Sequence, residues 1–94
     1  PPEEVEVLWR VACLRALCRL LHIRGISVKQ GEIRITFAEN AAVDPAALMQ
    51  LIGEHQQYMQ FKSGAQAQLI FRTVKLKTDS LTWLEKNLPR LALD

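Results

Sequence analysis

The sequence predicts an α+β fold, in which two antiparallel β-hairpins form a small sheet packed with three helices in the order αββαββα. The apolar segment from Val5 to about Leu21 contains neither Gly nor Pro, which favours a long first helix. Two pairs of short alternating segments follow, each pair separated by a glycine-containing turn. Asp44-Pro45 is a strong helix start between the two pairs. Because short hairpins favour antiparallel pairing, helices are expected to pack on an antiparallel sheet.

The first helix is predicted to carry two apolar stripes on opposite faces. One stripe holds Val5, Trp9, Ala12, Ala16 and Leu20, and the other holds Val7, Val11, Leu14, Cys18 and Leu21. A surface helix normally shows a single apolar stripe. Two stripes therefore indicate burial on both sides, against the sheet on one and against another helix or a partner on the other. Arg10 lies on a seam between the stripes, where we expect it to be exposed.

Both predicted hairpins have alternating strands joined by a tight turn. Residues 26–29 pair with residues 32–37 across Gln30-Gly31, and Gly25 is expected to end the preceding helical region. Residues 58–62 pair with residues 67–72 in the second hairpin. In the first hairpin, alternation places Ile33, Ile35 and Phe37 on one buried face.

Two further helices are expected after residue 44. The second runs from Pro45 to about Glu54, and the third begins after Asp79 or Thr78. Pro89 lacks the N–H that would bond the Glu85 carbonyl, so the third helix should stop or kink there. The side chains expected to be largely buried are Trp9, Leu14, Ile33, Ile35, Phe37, Leu48, Phe71, Leu81 and Leu84.

Length and composition indicate one domain spanning residues 1–94, since 94 residues can build a single core. The net charge of +2 indicates neither a nucleic acid nor an anionic membrane as partner. The sequence has no run of 18 apolar residues, so we expect no transmembrane span. Cys13 and Cys18 point roughly 140° apart on a helix, so they cannot bridge each other. Free thiols fit a reducing compartment, and we expect a cytoplasmic protein.

Residue types that carry chemistry do not converge in this sequence. The four glycines sit at element boundaries without phosphate-loop spacing. Cys18 and His22 are four positions apart but make only two ligands, and His55 has no partner at helical spacing. The carboxylates are scattered or crowd a helix start. We therefore expect no catalytic, cofactor-binding or metal-binding residues, and no enzymatic activity.

A basic cluster is the remaining candidate site. Arg72, Lys75 and Lys77, with Lys62 on the neighbouring strand, are expected to lie near one another around the second hairpin. A solvated sheet edge explains them, since lysine there blocks edge-to-edge aggregation. Contact with nucleic acid is the alternative, although no stacking aromatics are interleaved with these charges.

Several strings, taken in order, resemble the C-terminal domain of the bacterial transcription-repair coupling factor. They are Pro2-Glu3-Glu4-Val5, Ala12-Cys13-Leu14-Arg15, Leu20-Leu21-His22-Ile23, Ile33 to Phe37 with Ala38-Glu39, and Asp44-Pro45 with Leu48. The resemblance covers nearly all 94 residues. Cys13 stands where a basic residue is common in the family, His22 where glycine is common, and Pro89 interrupts a final helix that usually runs on. An acidic segment that normally precedes the opening prolines is missing, so part of the family's contact surface is expected outside this sequence.

The resemblance implies a regulatory function. The parent family is an ATP-dependent DNA translocase that dislodges stalled RNA polymerase and recruits excision repair through UvrA. Its motor, with ATP and magnesium, lies outside these residues. The C-terminal domain of the family packs against a UvrB-like N-terminal module and covers the UvrA-binding surface until polymerase is engaged. Arg10 is our candidate for a rim contact of that interface. Two alternatives remain open: a stand-alone nucleic-acid-binding α+β domain, and a small enzyme or ligand-binding domain.

Overall fold

The chain runs as helix, hairpin, helix, hairpin, helix, which confirms the predicted α+β class and element order. A computed structural model describes residues 2–93. The helices in these residues are α1 (Pro2–Leu21), α2 (Pro45–Glu54) and α3 (Ser80–Asn87). The strands are β1 (Ile23–Lys29), β2 (Glu32–Phe37), β3 (Met59–Lys62) and β4 (Gln68–Arg72), and short 3₁₀ turns cover Thr73–Lys75 and Leu88–Leu91.

The four strands form one antiparallel sheet in the order β1-β2-β4-β3. The two hairpins join through their second strands, with Ile33 opposite Phe71 and Ile35 opposite Leu69. Cross-strand neighbours point to the same side of a sheet, so these four side chains share one face. Strands β1 and β3 are left at the two edges of the sheet.

The core lies on the sheet face that carries the alternating apolar residues of β2. Ile33, Ile35 and Phe37 are buried, as are Leu69 and Phe71 on β4, which confirms the predicted strand register. The helical side chains that complete this core are Leu21, Leu51, Trp83, Leu84, Leu88 and Leu91. Trp83 is the largest of them, and it was not among the side chains expected to be buried.

Some of the predicted burial is wrong. Trp9 is 70% exposed, because the α1 stripe to which it belongs faces away from the sheet. Leu14 and Leu48 are half-buried and pack against the margin of the core, while Leu81 is half-buried near the start of α3. The small core covers only one stripe of α1. Leu14 and Leu48 lie at the margin of the core and are therefore covered only in part.

The junction between α1 and β1 also differs from the prediction. Helix α1 ends at Leu21, His22 adopts a left-handed conformation with φ 55°, and β1 begins at Ile23. Gly25 therefore lies inside β1, where the pairing register with β2 shifts between residues 23 and 25. Left-handed backbone is the usual way to end a helix, and it normally employs glycine. His22 takes this role here.

The last two helices follow their sequence signals. The Asp44 carboxylate accepts a hydrogen bond from the Ala46 N–H at 3.0 Å, and the Asp79 carboxylate accepts one from the Thr82 N–H at 2.7 Å. Helix α3 ends at Asn87, and Pro89 falls in the 3₁₀ turn that follows. The predicted stop before Pro89 is thus confirmed.

Candidate docking face on the first helix

Helix α1 presents an apolar face to solvent along most of its length. We call this the free face and define it as the residues Val5, Leu8, Trp9, Ala12, Ala16 and Leu20. Its four large side chains are between 65% and 73% exposed. From residue 5 to residue 20 the face extends about 23 Å at 1.5 Å per residue. Single exposed apolar residues are common, but a continuous apolar stripe is typical of an interaction surface.

The opposite side of α1 attaches the helix to the domain. Leu21 is buried, and Leu14, Leu17 and Cys18 pack against the core from the margin. Val7, nearer the N-terminus, is 47% exposed, so contact with the domain weakens towards the start of the helix. Burial is confirmed for the stripe that contains Leu14, Cys18 and Leu21. The stripe that contains Val5, Trp9 and Leu20 remains exposed in the structure of residues 2–93.

Arg10 holds the N-terminal half of α1 against α3. Its Nε donates to Glu85 Oε2 at 3.0 Å, and its Nη2 donates to Glu85 Oε1 at 2.5 Å and to Thr82 Oγ1 at 3.2 Å. The Arg10 side chain is 29% exposed, so the expectation of a freely exposed arginine is wrong. The rim contact expected of Arg10 remains a prediction.

The contact with Arg10 changes the pKa of the Glu85 carboxyl group. Hydrogen bonding to Arg10 lowers the pKa of Glu85, while burial and the nearby Asp79 charge oppose that effect. The hydrogen bonds that Arg10 donates to Glu85 correspondingly raise the pKa of Arg10. Both side chains are therefore ionised at neutral pH, and they form an ion pair that joins α1 to α3.

The histidines considered as metal ligands have other partners. His22 Nδ1 lies 2.9 Å from the Asn40 carbonyl oxygen. The His55 ring packs against Phe71 and Trp83, with ring centroids 4.8 Å and 5.9 Å apart. In the described range 2–93, no three His, Cys, Asp or Glu side chains are grouped closely enough to hold a metal ion.

The residues of the predicted basic cluster line several neighbouring grooves. Lys62 and Arg72 line a groove on the sheet face opposite the core, where the Arg72 guanidinium donates to the Gln57 carbonyl and lies 5.8 Å from the Tyr58 ring centroid. Lys75 and Lys77 line a different groove beside Trp83 and α3. Lys75 also lines a pocket with Gln56, Gln57 and Tyr58, which border the groove of Lys62 and Arg72, so the expectation of one basic cluster stays a prediction.

No helix within residues 2–93 combines the length and apolarity that a membrane span requires. The elements described so far define an α+β domain whose longest helix carries an uncovered apolar face.

Residues 1–48 match the family model of the TRCF domain, which covers α1, the first hairpin and the start of α2. The chain belongs to this family, a domain of transcription-repair coupling factor, and the resemblance noted in the sequence is confirmed for these residues. No curated protein matches the chain. The free face and the Arg10 position both lie inside the matched residues.

Proposed function

We propose that residues 1–94 act as one regulatory domain of a cytoplasmic transcription-repair coupling factor, without catalytic activity of its own. In this proposal the domain packs on the UvrB-like N-terminal module of the same parent chain. The contact masks the UvrA-binding surface until the parent, an ATP-dependent DNA translocase, engages stalled RNA polymerase. Membership of the TRCF domain family supports the choice of parent.

The free face of α1 is the observation that carries the proposal. Leu8 and Trp9 are 69% and 70% exposed at its centre, and aromatic residues of this kind often dominate binding energy at interfaces. Arg10 lies next in the chain and is held in a fixed position by Glu85. In the proposal, the large apolar side chains form the centre of the interface and Arg10 contacts its rim.

The free face of α1 alone can hold the partner in place when the partner belongs to the same chain. A tether raises the effective concentration of the partner to roughly millimolar, so a contact that is weak between separate molecules remains mostly closed. A weak contact is also readily released when the parent binds polymerase, as expected for interfaces between domains of one chain. The proposal includes no direct contact with nucleic acid, and the small net charge of +2 supports this.

The test uses the full-length parent with Trp9→Glu in the free face. A carboxylate there should open the closed state, because docking would bury an unpaired charge. We expect tighter UvrA binding and faster DNA translocation than in the unmodified parent. Val74→Glu is the matched control, since Val74 is 73% exposed but lies in the turn after β4.

Deletion of residues 1–94 from the parent should have the same effect as Trp9→Glu. Unchanged UvrA binding and translocation in a folded deletion protein would show that the domain does not restrain the parent. An equal response to Trp9→Glu and Val74→Glu would show that the free face is not the docking surface. Salt-dependent binding of DNA by the 94-residue chain would instead favour the nucleic-acid-binding alternative.

A further inference from the structure

A second surface, separate from the free face, lies where α1, β1 and the start of α3 meet. It is an open groove of about 640 Å³, and we call it the arginine groove. Its floor is apolar and includes Val11, Leu14, Cys18, Ile26, Val28 and Leu81. Val28 remains 53% exposed, so the floor is accessible from solvent.

Three arginines border this groove. Arg15 and Arg19 lie one turn apart on α1, and Arg24 follows at the start of β1. All three are exposed. Within the described residues, the ion pairs join Arg10, Arg34 and Arg90 to glutamates, and none of them involves a groove arginine. Three guanidinium groups without carboxylate partners beside an apolar floor are complementary to a ligand that is both acidic and apolar.

The backbone of β1 adds a third feature. Strand β1 is an edge strand that pairs with β2 on one side, so its other side can accept a further strand. Ile26 and Val28 face the core side of the sheet, opposite Ile35 and Ile33. Alternate side chains of an added strand would point to that same side, where the groove begins.

We propose that the arginine groove binds an extended acidic protein segment, which adds to the edge of β1. Of its side chains that point to the groove, the apolar ones contact the floor, and the carboxylates pair with Arg15, Arg19 and Arg24 at the border. The groove's lining contains no aromatic side chain on which a nucleic-acid base could stack, so the apolar floor favours a peptide over a single strand of nucleic acid. This surface is distinct from the free face, and the proposal does not depend on the one made for that face.

The test uses the 94-residue chain and a short fluorescein-labelled peptide in which every second residue is Thr and the residues between are Glu and Val in turn, so that Glu and Val share one face of the strand. We expect saturable binding by fluorescence anisotropy, weakened by added salt. Replacing all three groove arginines by glutamine should weaken binding by roughly tenfold or more, since several charge-assisted contacts are lost. The matched control is Lys75→Gln/Lys77→Gln/Lys86→Gln, which removes the same charge from exposed positions outside the groove and should bind as the unmodified chain does.

Two measurements on the unmodified chain test the location directly. Bound peptide should slow hydrogen exchange of β1 amides and should slow alkylation of Cys18, which lines the groove, but not alkylation of exposed Cys13. Binding without protection of β1 would contradict strand addition. Equal weakening by the lysine control would show that net charge alone attracts the peptide. Equally tight binding of the same peptide with Lys in place of Glu, or of oligothymidine at the same site, would overturn the acidic-peptide assignment.

Discussion

Arg10 on α1 and Glu85 on α3 form a two-pronged ion pair, in which Nε lies 3.0 Å from Oε2 and Nη2 lies 2.5 Å from Oε1. The two residues are 75 positions apart in the sequence. Their contact occurs in the half of α1 where apolar packing against the core is weakest, as the 47% exposure of Val7 shows. The pair therefore helps to fix the direction in which the free face points.

The contribution of Glu85 to stability should depend on pH. Arg10 lowers the pKa of Glu85 in the folded protein below its ordinary value of 4.5, so the unfolded chain takes up the proton first as the pH falls. The stabilisation is then complete above about pH 4.5 and is lost as the pH falls through the folded-state pKa. Urea unfolding of the unmodified chain and of Glu85→Gln should show a difference in stability at pH 7 that shrinks in acid. Arg10→Gln should remove the same pH-dependent component, and a difference that stays constant from pH 7 to pH 3 would contradict the role of the pair.

The left-handed conformation of His22 should carry a measurable cost. Both His22→Ala and His22→Gly remove the contact between Nδ1 and the Asn40 carbonyl, but glycine alone adopts φ 55° without strain. We expect His22→Gly to be more stable than His22→Ala by about 1 kcal/mol in urea unfolding. In the extended strand β1 the order should reverse, with Val28→Gly less stable than Val28→Ala. Equal stability of the two His22 variants would contradict the assigned backbone conformation.

The two tryptophans should differ sharply in their access to solvent. Trp9 is 70% exposed and Trp83 is 6% exposed, so acrylamide should quench the fluorescence of Trp9 and largely spare that of Trp83. In Trp9→Phe, the emission should shift to shorter wavelength and the quenching constant should fall severalfold. Protection of Trp9 that increases with protein concentration would show that the free face pairs with a second copy of the chain, against the expectation of a free face in the isolated chain.

Local signals in the sequence determined the elements and several of their boundaries. The Asp44-Pro45 pair starts α2, and Pro89 excludes a continuation of α3. The alternation on β2 identifies its buried face without any knowledge of what lies against it. These features depend on backbone geometry and on hydrogen bonds within a few residues, so a short window of sequence contains the physical cause.

Contacts between distant segments decided the rest. The two stripes of α1 are similarly apolar. Only the packing of the helix on the core determines that Leu14 and Cys18 are partly buried while Trp9 remains exposed. The pairing of β2 with β4 and the ion pair of Arg10 with Glu85 likewise join residues far apart in the chain. No local window contains both partners of such a contact, and the favourable energy exists only once the chain has folded. The sequence alone therefore determined that α1 has two apolar faces, and the tertiary structure decided which of them remains free to bind.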